Sequence, residues 1–347
     1  MATQSRFTTI TDIAKKVGVS PSVVSFVLNG SSGKAKRYCS DELRKKIMAT
    51  AKELNYIQSN VASNLKGRPR NLMAVLIPQF FNEFFTQMAL EIEVELEKAG
   101  YILSICNTFD DPKREAVILK RMFEQRVDGI FMVPAPNSEE FTLNALKLGI
   151  PIVVMDRYFD TVKEGYHSVL TQNYQSAEAA TMEVVNAGLK HIAFIDWKSG
   201  FGGLELRKQA FENVVISHNL DPNCCRSYEG PLNEETGYEL TKQALIENPN
   251  LQAIVFANNI HARLGVKCLI EKGLEPGRDI SVAIVGAPKW VQTGLNNFTC
   301  VDLNGRGIGK RAAHIMLSII KNELPENKFM HEYIPCTLNV GNSIIKK

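Results

Sequence analysis

Residues 10–29 read ITDIAKKVGVSPSVVSFVLN, and their spacing decides the character of the N-terminal part of the chain. Ile10, Ile13, Ala14 and Val17 recur at helical intervals, so one face of a short first helix is apolar. Gly18 follows, where a tight turn needs a residue that tolerates positive φ. Val19, Val24 and Val27 resume the apolar face on a second short helix, and Ala14 is small where the two helices cross. Between the apolar positions lie Ser20, Ser22, Ser25, Phe26 and Asn29. A helix of this kind turns polar side chains outward from its first turns, as a major-groove reader must. An ordinary hairpin buried in a core is the plain alternative. Apolar spacing, turn glycine and polar outer face together argue against it.

The charge distribution agrees. The whole chain carries a net charge of only +3. Residues 1–70 nevertheless hold 13 Lys/Arg against 4 Asp/Glu, while the rest holds 27 against 33. A basic head on a mildly acidic body implies that the head meets a polyanion and the body does not. At 347 residues the chain can bury sizeable cores in more than one domain. No run of about 18 apolar residues appears, so no membrane span is expected. The opening MATQSRFTTI lacks an apolar signal core, which points to the cytoplasm. The cysteines at 39, 106, 224, 225, 268, 300 and 336 show no paired zinc-ligand spacing and read as free thiols in a reducing compartment. Cys224–Cys225 could form a redox pair, but adjacent structural thiols are the simpler reading.

A third helix is predicted from Ser40 to about Leu54, with Ser40 as its cap and Leu43, Ile47 and Ala51 on one face. Residues 59–66, SNVASNLK, have short helical character that Gly67 and Pro69 end. These features divide the chain into a head over 1–58, a hinge helix or linker over 59–67, and a body over 68–347. From residue 71 apolar runs alternate with amphipathic segments in two successive βα series. Helices are predicted near 82–99, 112–126 and 138–148, then 174–188, 204–219, 234–247, 260–273 and 306–321, with a final strand near 331–340. Such series build parallel sheets covered by helices, and two of them imply two lobes with a ligand cleft between. The predicted N-lobe takes about 70–165 plus 303–325. The C-lobe takes about 166–300 plus 330–345. The fold class is therefore α/β, with an all-α head.

On the strength of ITDIAKKVGVSPSVVSFVLNG, AKELNYIQSNVASNL and NEFFTQMALEIEVELEKAGY, the chain resembles the lactose-repressor/galactose-repressor family of bacterial transcription factors. Weaker matches are RVDGIFMVP, GIPIVVMDR and HIAFID, and the resemblance covers nearly the whole chain. It implies a double-stranded DNA operator, a homodimer, a small-molecule effector and a body like periplasmic sugar-binding proteins. It places the reading helix at Pro21–Leu28, with Pro21, Ser22 and Phe26 towards base edges. Phe26 stands where arginine is common. It can pack on a thymine methyl, or turn inward as core. Ser20, Ser25 and Asn29 match phosphate-contacting or capping positions, and Thr9 and Asn60 join the DNA-binding set. Lys34, Lys36 and Arg37 lie in a longer loop that can reach phosphates or stay solvated. Leu65 matches the minor-groove wedge that kinks an operator. The chain ends NVGNSIIKK without a leucine heptad, so a dimer rather than a tetramer is expected.

For the effector, the resemblance implicates Asn82, Phe84, Phe85, Arg157 and Arg207, with Lys289 and Trp290 as further candidates. The usual aspartate pair is replaced in the run Ala287-Pro288-Lys289-Trp290, Leu232 replaces an aromatic residue, and Asn259 an aspartate. Arg207 without opposing carboxylates favours a carboxylated or phosphorylated metabolite over a neutral sugar, and is also compatible with a vestigial cleft that takes no small ligand. Trp290 can stack on such a ligand or simply pack. The run GRGIG at 305–309 opens a helix after a strand, but its third glycine comes early for a dinucleotide loop. It reads as helix-start geometry. No catalytic constellation, metal site or cofactor is expected. A periplasmic-type solute-binding protein and a nucleotide-processing α/β enzyme are the rival classes.

Overall fold

Helix α1 (Ile10–Val17) starts at a capping box in which the Thr9 hydroxyl accepts from Asp12 N, and the Asp12 carboxylate accepts from Thr9 N at 2.8 Å. It stops at Gly18, whose φ of 84° is left-handed, and the Gly18 and Val19 amides both donate to the Ala14 carbonyl. Helix α2 (Pro21–Leu28) begins on a proline, which has no amide hydrogen to leave unpaired there. Helix α3 (Asp41–Glu53) is capped by Ser40, whose Oγ accepts from Leu43 N at 3.2 Å. Ile13, Ala14, Val17, Val24, Val27, Ile47 and Ala51 meet in one small core. This computed structural model describes residues 8–28, 39–57, 70–159, 165–292, 297–325 and 329–346. The predicted hinge at 59–67 lies outside the described residues, as do Asn29, Lys34, Lys36, Arg37, Asn60 and Leu65.

The chain divides into two units, Met1–Arg70 and Asn71–Lys347. In the second unit, strands β1 (Leu72–Ile77), β2 (Ile102–Asn107), β3 (Gly129–Met132), β4 (Ile152–Asp156), β5 (His167–Thr171) and β11 (His331–Ile334) form one sheet in the order β11-β5-β4-β3-β1-β2. Every pairing in it is parallel. Helices α4 (Glu83–Lys98), α5 (Pro112–Glu124) and α6 (Glu139–Lys147) connect its first strands. Strands β6 (Ile192–Trp197), β7 (Cys225–Gly230), β8 (Ala253–Phe256), β9 (Ser281–Val285), β10 (Thr299–Asp302) and β12 (Thr337–Asn339) form a second sheet, ordered β12-β10-β9-β8-β6-β7. Only β12 runs antiparallel, against β10. The helices of this lobe are α7 (Asn173–Asn186), α8 (Gly202–Ser217), α9 (Glu234–Glu247) and α10 (Asn259–Glu271). Eight of the twelve described strands are buried at every position or all but one, as parallel strands covered on both faces must be.

Two lobe assignments need correction. His167–Thr171 was expected to open the second series, but β5 pairs with β4 and ends the first sheet. The expected strand near 331–340 is two strands in different sheets: β11 pairs with β5, and β12 with β10. Pro335 stands between them and has no amide hydrogen to carry a ladder onward. The chain thus crosses between lobes three times, after β5, after β10 and after β11. Helix α11 (Gly305–Ile320) returns to the first lobe, where Ile308, Ala312 and Met316 enter its core.

The GRGIG run also has a physical cause other than helix-start geometry alone. A Cβ at Gly305 would sit 2.7 Å from the Phe84 carbonyl oxygen, and one at Gly309 2.3 Å from that of Met88. Glycine there lets α11 lie against the backbone of α4. All seven cysteines are free, including the adjacent Cys224 and Cys225. No helix among the described residues is long and apolar enough to cross a membrane.

Candidate DNA-reading face and ligand cleft

In the head, Val24 and Val27 are buried and so fix which side of α2 faces outward. Pro21, Ser22 and Phe26 are exposed, together with Ser20 at the helix start, while Ser25 is half-buried. Phe26 is 39 % exposed, so part of its ring faces outward beside Ser22. The Thr9 hydroxyl is committed to its cap and donates to Asp12 Oδ2 at 2.6 Å. Those hydrogen bonds hold the Asp12 carboxyl below its usual range. Thr9 therefore serves to start α1, and its exposed position is what remains available to a phosphate.

In the body, a cavity of ≈ 60 Å³ lies where the carboxyl ends of both sheets meet. Asp156 and Arg157 reach it from the end of β4, Trp197 from β6, Asn258 and Asn259 from the start of α10, and Asp302 from β10. Helix α4 contributes Asn82 to Phe85, and α8 contributes Leu204 and Arg207. Phe84 packs against the cores of both lobes, so its ring fills much of the space between them. Two hydrogen bonds also cross the cleft. Asn259 Nδ2 donates to Asn82 Oδ1 at 3.3 Å, and the Lys289 backbone amide donates to Glu83 Oε2 at 2.9 Å.

Arg207 is 4 % exposed. Its Nε donates to Asn173 Oδ1 at 2.9 Å, its Nη1 to the Ala257 carbonyl at 2.7 Å, and its guanidinium lies 5.4 Å from the Trp197 ring centre. Burial pushes its pKa down, and the fields of Asp156 and Asp196 pull it back up. Arg157 is equally buried, but it is already neutralised. Its Nη1 and Nη2 meet the two carboxylate oxygens of Asp110, and Asp156 Oδ2 lies 3.8 Å from its Nε. Asp156 in turn accepts from Thr171 Oγ1 at 2.6 Å and holds a left-handed φ of 64°. Asp196 is buried behind Trp197, whose amide it accepts at 2.8 Å, and burial pushes its pKa up to about 7.

Of the seven expected effector residues, Asn82, Phe84, Phe85, Arg157 and Arg207 line this cavity. Phe85 does so from within the first-lobe core. Lys289 is a correction. It sits in a short 3₁₀ turn, is exposed, and lines neither this cavity nor the recess outside it. Trp290 lines only that outer recess, braced edge-on by Phe298 at 5.9 Å. The expected lack of carboxylates is corrected too. Asp110, Asp156, Asp302 and Glu83 all face the cavity. They come from strand ends, a loop and the start of α4 rather than from the 287–290 run, and the rule that ligands meet strand carboxyl ends would have found Asp156, Trp197 and Asp302.

A helix-turn-helix head joined to a two-lobed module with a polar cleft defines a ligand-responsive DNA-binding regulator. Residues 9–59 match the model for bacterial regulatory proteins of the lacI family, and residues 182–344 match that for a periplasmic binding protein-like domain. The ribose operon repressor of Halalkalibacterium halodurans is 30% identical over 277 residues, 79% of either chain. The transcriptional repressor PurR of Aliivibrio fischeri is 28% identical over 323 residues, 92% of this chain and 94% of that one. The lac repressor dimer bound to operator and an anti-inducer superposes with a TM-score of 0.80 at 20% identity, over 98% of this chain and 100% of that one. The chain belongs to the lacI family of bacterial regulatory proteins, and it is a DNA-binding transcription regulator.

Proposed function

We propose that this protein represses transcription as a cytoplasmic homodimer on a two-fold related operator, and that a small neutral, hydroxylated effector in the inter-lobe cleft switches it. The observation that carries the effector reading is Arg207, buried at 4 % and aimed by Asn173 and the Ala257 carbonyl. Burying a guanidinium is costly unless its hydrogen-bonding capacity is used. Hydroxyl groups suit this cleft because they accept from Arg207 and donate to Asp302 or Asp156. An anion would instead meet four carboxylates, with one of the two guanidiniums already paired to Asp110. The expectation of a phosphorylated or carboxylated metabolite gives way on that ground. The head reads DNA through Ser20, Pro21, Ser22, Ser25 and Phe26. Regulation rather than catalysis is the activity proposed, as for the repressors it is similar to.

The test begins with duplexes selected from a random pool by the full chain. Fluorescence anisotropy should show two protomers per selected duplex and affinity that falls steeply with salt. Effectors are then screened by their effect on that binding. Arg207→Ala should keep operator affinity within about threefold and lose the effector response. The reading fails if no duplex is enriched. It also fails if Arg207→Ala responds as wild type, or if the tightest effector proves to be an anion.

A further inference from the structure

On the second lobe a separate recess of ≈ 450 Å³ opens beside the carboxyl ends of β6 and β7. Asp196 and Trp197 line it from β6, Glu229 from β7, and Glu205, Lys208 and Glu212 from α8. Acidic side chains at a surface are ordinary, but Asp196 is not at the surface: it is 3 % exposed. Its Oδ1 accepts from the Trp197 amide at 2.8 Å, and its other oxygen accepts no hydrogen bond among the described residues. No cation among them pairs with it either. Arg207 bonds to Asn173 and the Ala257 carbonyl, and Lys208 Nζ stays with Glu229 at 3.1 Å. A buried carboxylate without a cation is costly, and the group tends to hold a proton instead. Burial pushes the Asp196 pKa up to about 7 against the Trp197 amide and the charge of Arg207; Glu229 adds to the rise and Lys208 opposes it.

The partner that Asp196 lacks is a cation entering from the recess, and the walls set its chemistry. Among the described residues no three His, Cys, Asp or Glu side chains are placed to hold a metal ion. An alkylammonium group asks for less, since each of its three donors needs only one oxygen. The Trp197 indole and Leu206 give its methylene chain an apolar wall. Glu205 and Glu212 stand two helical turns apart on the outer face of α8, both exposed, where a second ammonium would lie. Trp197 also lines the inner cavity, so an occupant of the recess rests against a side chain that the cleft shares.

We propose that this recess is a second ligand site, distinct from the cleft, that takes a small aliphatic diamine with one ammonium on Asp196 and the other at the Glu205–Glu212 rim. Titration calorimetry on the full chain would compare putrescine with butane-1,4-diol, which has the same length and no charge. Putrescine should bind at least about tenfold tighter. Its ammonium groups stay charged from pH 6 to pH 8, so a change in affinity over that range belongs to the protein. Binding draws on the ionised form of Asp196, so affinity should rise about tenfold from pH 6 to pH 8, with a proton released on binding at the lower end. Asp196→Asn keeps an acceptor for the Trp197 amide. It should weaken putrescine by at least about tenfold and flatten the pH profile. Glu212→Gln should cost about threefold and leave the profile intact. The proposal is overturned if the diol binds as well as the diamine, or if Asp196→Asn binds as wild type. A wild-type affinity that does not change with pH overturns it as well, and that measurement stands even if Asp196→Asn does not fold. Binding lost in Glu205→Gln and Glu212→Gln but kept in Asp196→Asn would show a cation held on the surface only.

Discussion

Glu115 sits on α5 with its carboxyl fully buried, one oxygen accepting from the Ala135 amide at 2.8 Å and the other without a hydrogen-bond partner. Burial raises its pKa from 4.5 to about 7 against the lowering effect of the Ser138 hydroxyl and the Ala135 amide; Asp110 adds to the rise, and Arg157 opposes it. In the unfolded chain the group ionises near 4.5, so between there and about 7 the folded state holds the extra proton. Stability must fall as pH rises through that window and level off above it. The shift corresponds to about 3 kcal/mol at one decade per 1.36 kcal/mol. Glu115→Gln removes the titration and keeps the acceptor for Ala135. It leaves a buried amide N–H₂ unpartnered, at a cost of ~1 kcal/mol. The variant should therefore be ~1 kcal/mol less stable than wild type at pH 4 and ~2 kcal/mol more stable at pH 8, with a crossover between. Urea unfolding of the full chain, followed by circular dichroism, measures this. The fluorescence of Trp197 and Trp290, both in the body, checks that the body unfolds in one step. A difference between the proteins that stays constant from pH 4 to pH 8 would refute the buried-carboxyl argument.

Two shorter predictions concern the cleft and the head. Glu83→Ala removes the bond to the Lys289 amide, worth about 0.5–1.5 kcal/mol, and should shift the lobes towards a wider arrangement by roughly two- to tenfold. Spin-label distances across the cleft would show it, and an unchanged distribution would count against the bond as a latch. Phe26→Ala should flatten the base preference at one position of each half-site, by about 1–3 kcal/mol of lost discrimination, with no loss of helix. Repeating duplex selection with the variant checks this, and an unchanged selected sequence would return Phe26 to a packing role.

The helices of the head were legible because amphipathic spacing and caps are local properties. Ser40, Gly18 and the valines of α2 each act within a few residues of themselves. Sheet membership is not local. Nothing in HSVLT says whether its neighbour will be β4 or β6, so its pattern alone does not place β5 in the first lobe. Pro335 marks a break inside the stretch 331–340, which reads as one strand only if that proline is overlooked. The cleft shows the same division. Arg207 could be found from its matching segment. Asp110, Asp156 and Asp302 converge from segments far apart in sequence, and reading the 287–290 run alone suggested that the carboxylates were gone. Lys289 misled for the opposite reason: its charge is visible in sequence, but the turn that points it to solvent is not.

The filled cleft constrains how any effector can act. Phe84, the Asn82–Asn259 bond and the Glu83–Lys289 bond occupy or close the space that a ligand ring would need. A pocket for a small organic molecule normally runs to about 300 Å³ or more, several times the inner cavity. This arrangement and a seated effector therefore exclude one another, so a ligand that binds the cleft necessarily prefers a wider one. That preference is the requirement for any shift in population, since a ligand indifferent to two arrangements moves neither. The two cross-cleft bonds contribute about 0.5–1.5 kcal/mol each, and burying the Phe84 ring contributes roughly 1.5–3 kcal/mol. An effector must outweigh roughly 2.5–6 kcal/mol to open the lobes, and only the upper end of that range carries a two-state equilibrium from almost wholly one form to almost wholly the other.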